Sequence, residues 1–191
     1  RDMPIITFCN KMDRESRDLI EIIDEIQEKL AIDVTPLSWP IGSGSNFRGL
    51  YHFLQDRYEI FSDLRLHHTA TRIKISGLNN DQVLEHVNPD LIQKSREEIE
   101  LIRGLSRKFE EKYFLEGSLS PIFFGSALNS SGVDHLMNGI CHFAPSPGNF
   151  STSTRIIKST ESTVSGFVFK IQANTDTRHR DRVAFLRISS G

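Results

Sequence analysis

The stretch PIITFCNKMD, residues 4–13, decides the fold because an apolar run passes directly into polar residues. Residues 4–9 are rich in β-favouring side chains and lack helical spacing, which predicts a short strand buried on both faces. Asn10, Lys11 and Asp13 follow at the point where this strand emerges. Ligands of open α/β sheets bind at the carboxyl ends of the strands, so this polar strand end is the first candidate site.

A helix is predicted shortly after this strand. Asp18 and Glu21 have the spacing of a capping box, and apolar residues then recur with a helical period as far as Leu30. Strand, polar loop and amphipathic helix together form half of a βαβ unit, which predicts an α/β fold.

The same order of elements returns later in the chain. Residues 121–125 are a second candidate for a buried strand, and a helical pattern follows over residues 132–143. The polar end of this second strand carries Ser126, Ala127 and Leu128. Parallel strands in one sheet share an edge at their carboxyl ends, so we expect the two polar strand ends to lie close together.

The region between the two strands has a different character. Residues 33–76 contain short alternating runs divided by turns such as residues 42–46, which predicts a small antiparallel sheet. Residues 90–116 are predicted to form one long helix with an apolar side and a charged side. The charged side contains two pairs of opposite charge at i,i+4 spacing, Arg96/Glu100 and Arg107/Glu111.

Composition excludes several classes of function. The formal net charge of −2 gives no basic stripe for charge-driven binding of nucleic acid. The chain has 2 cysteines, too few for a disulfide framework or a thiolate zinc site, and we expect Cys9 and Cys141 to be small buried hydrophobic residues. We find neither an apolar run of membrane-spanning length nor the layout of a signal peptide, which favours a cytoplasmic protein without membrane contacts.

The polar residues at the first strand end suit recognition of a purine. A carboxylate has two acceptor oxygens, which match the ring N–H and exocyclic amino group of guanine, so Asp13 placed in the ring plane would select guanine over adenine. Asn10 can bridge the base and neighbouring loops, and the stem of Lys11 can cover the ring. The backbone N–H of Ala127 is our candidate donor to the guanine carbonyl. The alternative is a turn with a helix cap, since Asn and Asp favour both.

The motifs at both strand ends resemble those of a known family. Asn10-Lys11-Met12-Asp13 resembles the Asn-Lys-x-Asp guanine-specificity motif of GTPases, and Ser126-Ala127-Leu128 resembles their last base loop. More than a hundred residues separate the two, as with the inserted subdomain of elongation factor G and its relatives. Longer stretches resemble the peptide chain release factor 3 family of bacterial translation GTPases: MPIITFCNKMDRESRD, WPIGSGSNFRGLYHF, IKISGLNN, FFGSALNSSGVDHLMNGI, FAPSP and GFVFKIQANTDTRHRDRVAFLRISSG.

The resemblance implies a domain organisation. Residues 1–147 would be the C-terminal part of a P-loop GTPase domain, with an inserted α+β subdomain over about 35–118. Residues 148–163 would be a linker, and residues 164–191 would form a hairpin-like pair, the first strands of a truncated all-β barrel domain.

The resemblance also implies a function. The base-recognition roles fall on Asn10, Lys11, Asp13, Ser126 and Ala127, with Leu128 completing the loop. The cofactor would be GTP or GDP, with a magnesium ion in the parent protein. The partners would be the ribosome and class I release factors, because members of this family are translation termination factors that use GTP to promote release or recycling of class I release factors.

The chain departs from the family pattern in ways that limit this expectation. It contains no Gly-x-x-x-x-Gly-Lys-Ser/Thr loop and no Asp-x-x-Gly motif, and residues 42–44 are better interpreted as a hairpin turn. We therefore expect the chain to start in mid-domain, to lack GTP hydrolysis and the magnesium ligands, and to bind guanine nucleotides only weakly. We also expect residues 5–9 to leave an open strand edge and to promote self-association, which light scattering would detect.

Two other functions stay open at this point. The chain could belong to an elongation factor G or ribosomal-protection type of GTPase, or it could be a non-enzymatic module that contacts the ribosome. In the latter case the basic residues Arg178, His179, Arg180 and Arg182 could contact ribosomal RNA, although a solvated turn is the simpler interpretation. Metal binding is not expected: His67 and His68 are adjacent, and adjacent strand residues point to opposite faces.

Overall fold

The structure is a computed structural model that describes residues 3–61, 72–146, 148–173 and 182–191. The chain divides into two compact units, Arg1–Ala144 and Pro145–Gly191. The elements of the first unit are, in chain order, β1 (Thr7–Cys9), α1 (Leu19–Leu30), β2 (Asp33–Pro36), β3 (Ser38–Ile41), β4 (Gly49–His52), β5 (Arg57–Phe61), β6 (Arg72–Ser76), α2 (Pro89–Leu105), α3 (Glu111–Leu115), β7 (Leu119–Phe124) and α4 (Val133–Phe143). Short 3₁₀ turns lie at Gly44–Asn46 and Asp81–Glu85.

A parallel sheet of three strands, in the order β1-β7-β2, carries both predicted strand ends. Strand β7 is buried along its whole length, as predicted, and lies between the other two. The prediction for the first strand is wrong in part: β1 is only half-buried, because it pairs with β7 on one side and with no described strand on the other. The self-association expected from this edge stays a prediction.

The antiparallel sheet predicted after α1 is confirmed, with the strand order β3-β4-β5-β6. Its beginning was misplaced: Asp33–Pro36 forms β2 of the parallel sheet, and the Leu37 N–H continues that ladder to the carbonyl of Ile122 at 2.9 Å. The two sheets share one core, in which the ring of Trp39 packs edge-on against Phe124 with ring centroids 5.2 Å apart.

The helices agree with the sequence except in the middle region. Asp18 caps α1 as predicted, since its side chain accepts a hydrogen bond from the backbone N–H of Ile20 at 2.8 Å. The single long helix predicted over 90–116 is wrong, because α2 ends at Leu105 and α3 begins only at Glu111.

The two predicted i,i+4 ion pairs are wrong as well. Arg96 pairs with Asp81 at 3.2 Å, and Arg107 pairs with Asp33 at 3.0 Å. Arg107 lies in the segment between the two helices, so it does not share a helical face with Glu111. Cys141 is exposed, contrary to the expectation that it is buried, whereas Cys9 is half-buried.

In the described part of the second unit the strands are β8 (Phe150–Ser151), β9 (Ile156–Ile157), β10 (Ser165–Ala173) and β11 (Arg182–Ser190). The predicted pair β10–β11 is present and antiparallel, but that it opens a barrel stays a prediction. The short pair β8–β9 lies inside the predicted linker. The candidate RNA-contacting residues 178–180 and the adjacent histidines His67 and His68 lie outside the described residues.

Among the helices that the structure describes, none has the length and apolar composition needed to cross a bilayer.

Two glycines should respond oppositely to a methyl group. A Cβ at Gly49 in β4 would lie 2.3 Å from the carbonyl oxygen of Glu59, whereas a Cβ at Gly104 in α2 would meet no atom within 4 Å. We expect Gly49→Ala to lower the free energy of unfolding by about 1–3 kcal/mol through overpacking. Gly104→Ala should raise it by about 0.5 kcal/mol through lower backbone entropy in the unfolded chain. Denaturant titration measures both, and similar effects of the two changes would contradict this packing.

Candidate nucleobase site

The carboxyl ends of β1 and β7 meet, as expected from their parallel pairing. Cys9 is in register with Phe124, and two backbone hydrogen bonds extend the ladder beyond the strands. The Gly125 N–H donates to the carbonyl of Cys9 at 3.1 Å, and the Met12 N–H donates to the carbonyl of Gly125 at 3.0 Å. The loops that carry the two motifs are therefore joined through their backbones.

Asn10 bridges these loops with its side chain. Its Oδ1 accepts the Lys11 N–H at 2.7 Å and the Ala127 N–H at 2.9 Å. Both partners are donors, which identifies the atom facing them as the amide oxygen. Asn10 thus makes the inter-loop contact that the sequence suggested. The Ala127 N–H, our candidate donor to a guanine carbonyl, is bound to Asn10 in this structure, so a base oxygen would have to share or replace this acceptor.

Asp13 is held by the second loop. The hydroxyl of Ser126 donates to Asp13 Oδ1, and the same hydroxyl oxygen accepts the N–H of Asn129 at 3.3 Å. Ser126 is fully buried and Asp13 is half-buried, so this contact fixes the carboxylate from its buried side. The second oxygen, Oδ2, has no hydrogen-bond partner among the described residues. The carboxylate can accept further hydrogen bonds from a ligand.

Lys11 and Leu128 are both exposed. Lys11 is exposed and has a φ of 69°, a left-handed conformation that is uncommon for a residue other than glycine. This backbone turns the chain sharply, and the carbonyl of Lys11 accepts the N–H of Arg14 at 3.0 Å. The side chain of Leu128 is 71% exposed, so it supports neither the loop nor the core.

Sequence analysis missed two residues that support the first loop. Met12 is only 1% exposed and anchors the loop in the core. The Gly44 N–H donates to the carbonyls of Met12 and Arg14 at 2.9 and 3.1 Å. Gly44 has a φ of +59°, and a Cβ there would lie 2.5 Å from Glu15 Oε1. The Gly-Ser-Gly run was visible in the sequence as a turn, but nothing indicated which loop this turn would contact.

Gly125 and Ser131 fix the second loop. The backbones of Ser126 and Ser131 exchange two hydrogen bonds of 2.9 Å each, which closes the loop between them. A Cβ at Gly125 would lie 2.2 Å from the carbonyl oxygen of Ser131, so only glycine fits there. The segment from Gly125 to Ser131 is therefore a closed turn that presents Ala127 and Leu128 at its tip.

The chemistry available at this site is recognition. The site offers a fixed carboxylate, a carboxamide and a lysine, which can bind a planar ligand rich in N–H donors. Burial raises the pKa of the Cys9 thiol, so that this nearby cysteine stays neutral and is not an activated nucleophile.

Removing the hydroxyl of Ser126 should loosen both loops. Ser126→Ala leaves Asp13 and the Asn129 N–H without their shared partner, and we expect a loss of about 1–3 kcal/mol in unfolding free energy. Hydrogen exchange at the Asn129 amide should become faster. Ser16→Ala is the control, because Ser16 is exposed, and it should leave both quantities unchanged. Unaltered exchange at Asn129 in Ser126→Ala would show that the hydroxyl does not hold the loop.

A comparison with protein families matches the part of the chain that carries this site. The family described as "Elongation factor Tu GTP binding domain" matches residues 1–146, which include every predicted site residue and the whole parallel sheet. This match covers more than half of the 191 residues. A match to this family implies that the chain binds a guanine nucleotide. The chain belongs to the elongation factor Tu GTP-binding domain family, that of the translation GTPases.

Proposed function

We propose that residues 10–13 and 126–128 recognise the guanine base of GTP or GDP in a translation GTPase. The single observation that carries this proposal is the contact between the two motifs: the Ser126 hydroxyl holds the carboxylate of Asp13 at the strand ends. A carboxylate fixed in this way, with one oxygen free of partners among the described residues, is ready to accept the paired donors of guanine.

Selectivity follows from the polarity of these hydrogen bonds. Guanine has a ring N–H and an amino group on one edge, and Asp13 accepts from both. Adenine has an unprotonated ring nitrogen there, so it would face the carboxylate with a lone pair. A polar site rejects such an analogue strongly because its own groups are left unpaired.

The other residues complete the site. The amide nitrogen of Asn10 is free of partners among the described residues, since only its Oδ1 is engaged, and can donate to an acceptor on the base. The exposed side chain of Lys11 can lie over the ring, and the base carbonyl can share the Ala127 N–H with Asn10 or replace Asn10 as its acceptor. These residues fit the base alone. The sequence has no Gly-x-x-x-x-Gly-Lys-Ser/Thr loop, so we assign no residue to the phosphates or to Mg²⁺.

Exchange of one atom in Asp13 tests the proposal. Asp13→Asn replaces an acceptor oxygen with an N–H donor, which matches xanthine, where a carbonyl replaces the amino group of guanine. We expect the order of affinity to change from guanosine over xanthosine diphosphate to the reverse, by at least tenfold in the ratio. NMR titration of the amides of Asn10 and Ala127 measures it even when binding is weak. Asp24→Asn on the exposed side of α1 is the matched control.

Two outcomes would contradict recognition of the base by Asp13. If Asp24→Asn and Asp13→Asn leave the preference equally unchanged, or if adenosine diphosphate shifts the same amides as guanosine diphosphate does, the strand ends do not read the base.

We further propose that the parent protein is a translation termination factor of the release factor 3 type, which acts in the cytoplasm. It would use GTP to promote release or recycling of class I release factors from the ribosome. The support is the resemblance of six stretches, and above all of GFVFKIQANTDTRHRDRVAFLRISSG, which covers β10 and β11 and the residues between them. This resemblance favours termination over elongation.

Ribosome binding tests the termination role. We expect the chain to pellet with ribosomes, and this pelleting should be weakened by a class I release factor bound at the termination site. A triple change of the basic residues, Arg178→Ala, Arg180→Ala and Arg182→Ala, should reduce pelleting at low salt. Pelleting that no release factor influences would contradict the termination role without touching the guanine proposal.

A further inference from the structure

Two histidines and a glutamate from three elements converge at one point of the first unit, away from the nucleobase site. His52 lies on β4, Glu59 on β5 and His135 in the first turn of α4. In the antiparallel ladder His52 pairs with Arg57, two residues before Glu59, so His52 and Glu59 share one face of the sheet. Helix α4 places His135 over that face.

The ligand atoms are close enough to surround one ion. His135 Nε2 lies 3.1 Å and His52 Nε2 lies 3.8 Å from the same oxygen, Glu59 Oε2. All three atoms lie within 4.8 Å of one another. In a tetrahedral zinc site with bonds of about 2.0–2.1 Å, neighbouring ligand atoms are about 3.3 Å apart. Small side-chain movements would bring the three atoms to this spacing.

One atom of the cluster has no explanation within the described structure. His52 is 5% exposed, and its Nε2 is buried without a hydrogen-bond partner among the described residues. A buried polar atom is unfavourable when it stays without a hydrogen-bond partner. His135 Nε2 forms a hydrogen bond with Glu59 Oε2. His52 Nε2 lies near the same oxygen but has no hydrogen-bond partner among the described residues. An ion bound among the three atoms accounts for all of them.

Arg72 fixes the glutamate from the other side. Its Nη1 donates to Glu59 Oε1 at 2.9 Å, and it also pairs with Asp134. The contact occupies one carboxylate oxygen and leaves Oε2 facing the histidines. Hydrogen bonds of this kind to the second oxygen orient carboxylate ligands in metal sites.

A cleft gives access to the cluster. A cavity of about 370 Å³ is lined by both histidines together with Leu37, Leu54, Phe123 and Asn138. Glu59 is not among the lining residues, so the cavity borders the cluster on the side of the two histidines.

We propose that His52, Glu59 and His135 form a binding site for a divalent transition-metal ion, with Zn²⁺ as the best match. Two imidazoles and a carboxylate are a known ligand set for zinc. Mg²⁺ and Ca²⁺ prefer oxygen ligands and would be poorly served by two nitrogens. Sequence analysis did not find this site, because His135 lies 76 positions from Glu59 and the spacing has no motif.

Metal titration of the whole chain tests the site. After treatment with a chelator, the chain should bind one Zn²⁺ by calorimetry, and Zn²⁺ but not Mg²⁺ should raise its Tm. Co²⁺ should give the visible absorption of a tetrahedral site. His52→Gln and His135→Gln should each weaken Zn²⁺ binding at least tenfold and abolish the Co²⁺ absorption, while far-ultraviolet circular dichroism confirms that they fold.

The controls separate this site from other histidines. His86→Asn, at an exposed position, and the double change His67→Asn with His68→Asn should leave binding unaltered. Absence of stoichiometric binding, retained binding in folded His52→Gln or His135→Gln, or loss of binding in the double change would each overturn the proposal. The Co²⁺ spectrum of the unaltered chain tests the proposal even if a variant fails to fold, because a tetrahedral spectrum is required.

Discussion

The parallel pairing of β7 with both β1 and β2 is the constraint on which the rest of the structure depends. β7 is buried along all six residues, and its backbone bonds to strands that come more than eighty residues earlier in the chain. Everything between β2 and β7 must therefore leave the sheet and return to it. Closure of such a long loop adds little entropic cost per additional residue, because that cost grows with the logarithm of length.

This pairing brings the residues of the candidate nucleobase site together, although the two motifs are far apart in sequence. Once Cys9 and Phe124 are in register, the next residues of each chain segment stand side by side. Asn10 then reaches the Ala127 N–H, and Ser126 reaches Asp13. The backbone ladder brings the two loops together, and the side-chain hydrogen bonds then fix the loops to each other. Gly44 lies between β3 and β4 and donates to the carbonyls of Met12 and Arg14. These hydrogen bonds connect the antiparallel sheet to the loop that carries the first motif.

Local patterns predicted the elements whose cause is local. The cap at Asp18 depends on a residue two positions away, and the apolar run of β7 and the alternating runs of the antiparallel sheet are visible in single short stretches of sequence. The break after Leu105 was missed because the apolar period continues through Phe109, while the chain leaves the helix and Arg107 pairs with Asp33 instead. β2 was assigned to the antiparallel sheet because its true partner, β7, lies more than eighty residues later in the chain.

The residues of the candidate site likewise divide into those that the sequence predicted and those that it did not. The positions of Asn10, Asp13 and Ser126 at strand ends predicted that they belong to one candidate site. The roles of Met12 and Gly44 were not predicted, since each depends on a partner from another part of the chain. The cluster of His52, Glu59 and His135 was likewise invisible, because no spacing in the sequence predicts that β4, β5 and α4 meet.

The separation of the motifs has a consequence during synthesis on the ribosome. The hydroxyl of Ser126 and the carboxylate of Asp13 are 113 positions apart. At about 5–20 residues per second, β1 emerges roughly 6–23 s before the strand that pairs with it. For that interval β1 lacks β7, the strand with which it pairs among the described residues, so the polar strand ends cannot come together until about 113 further residues have been made.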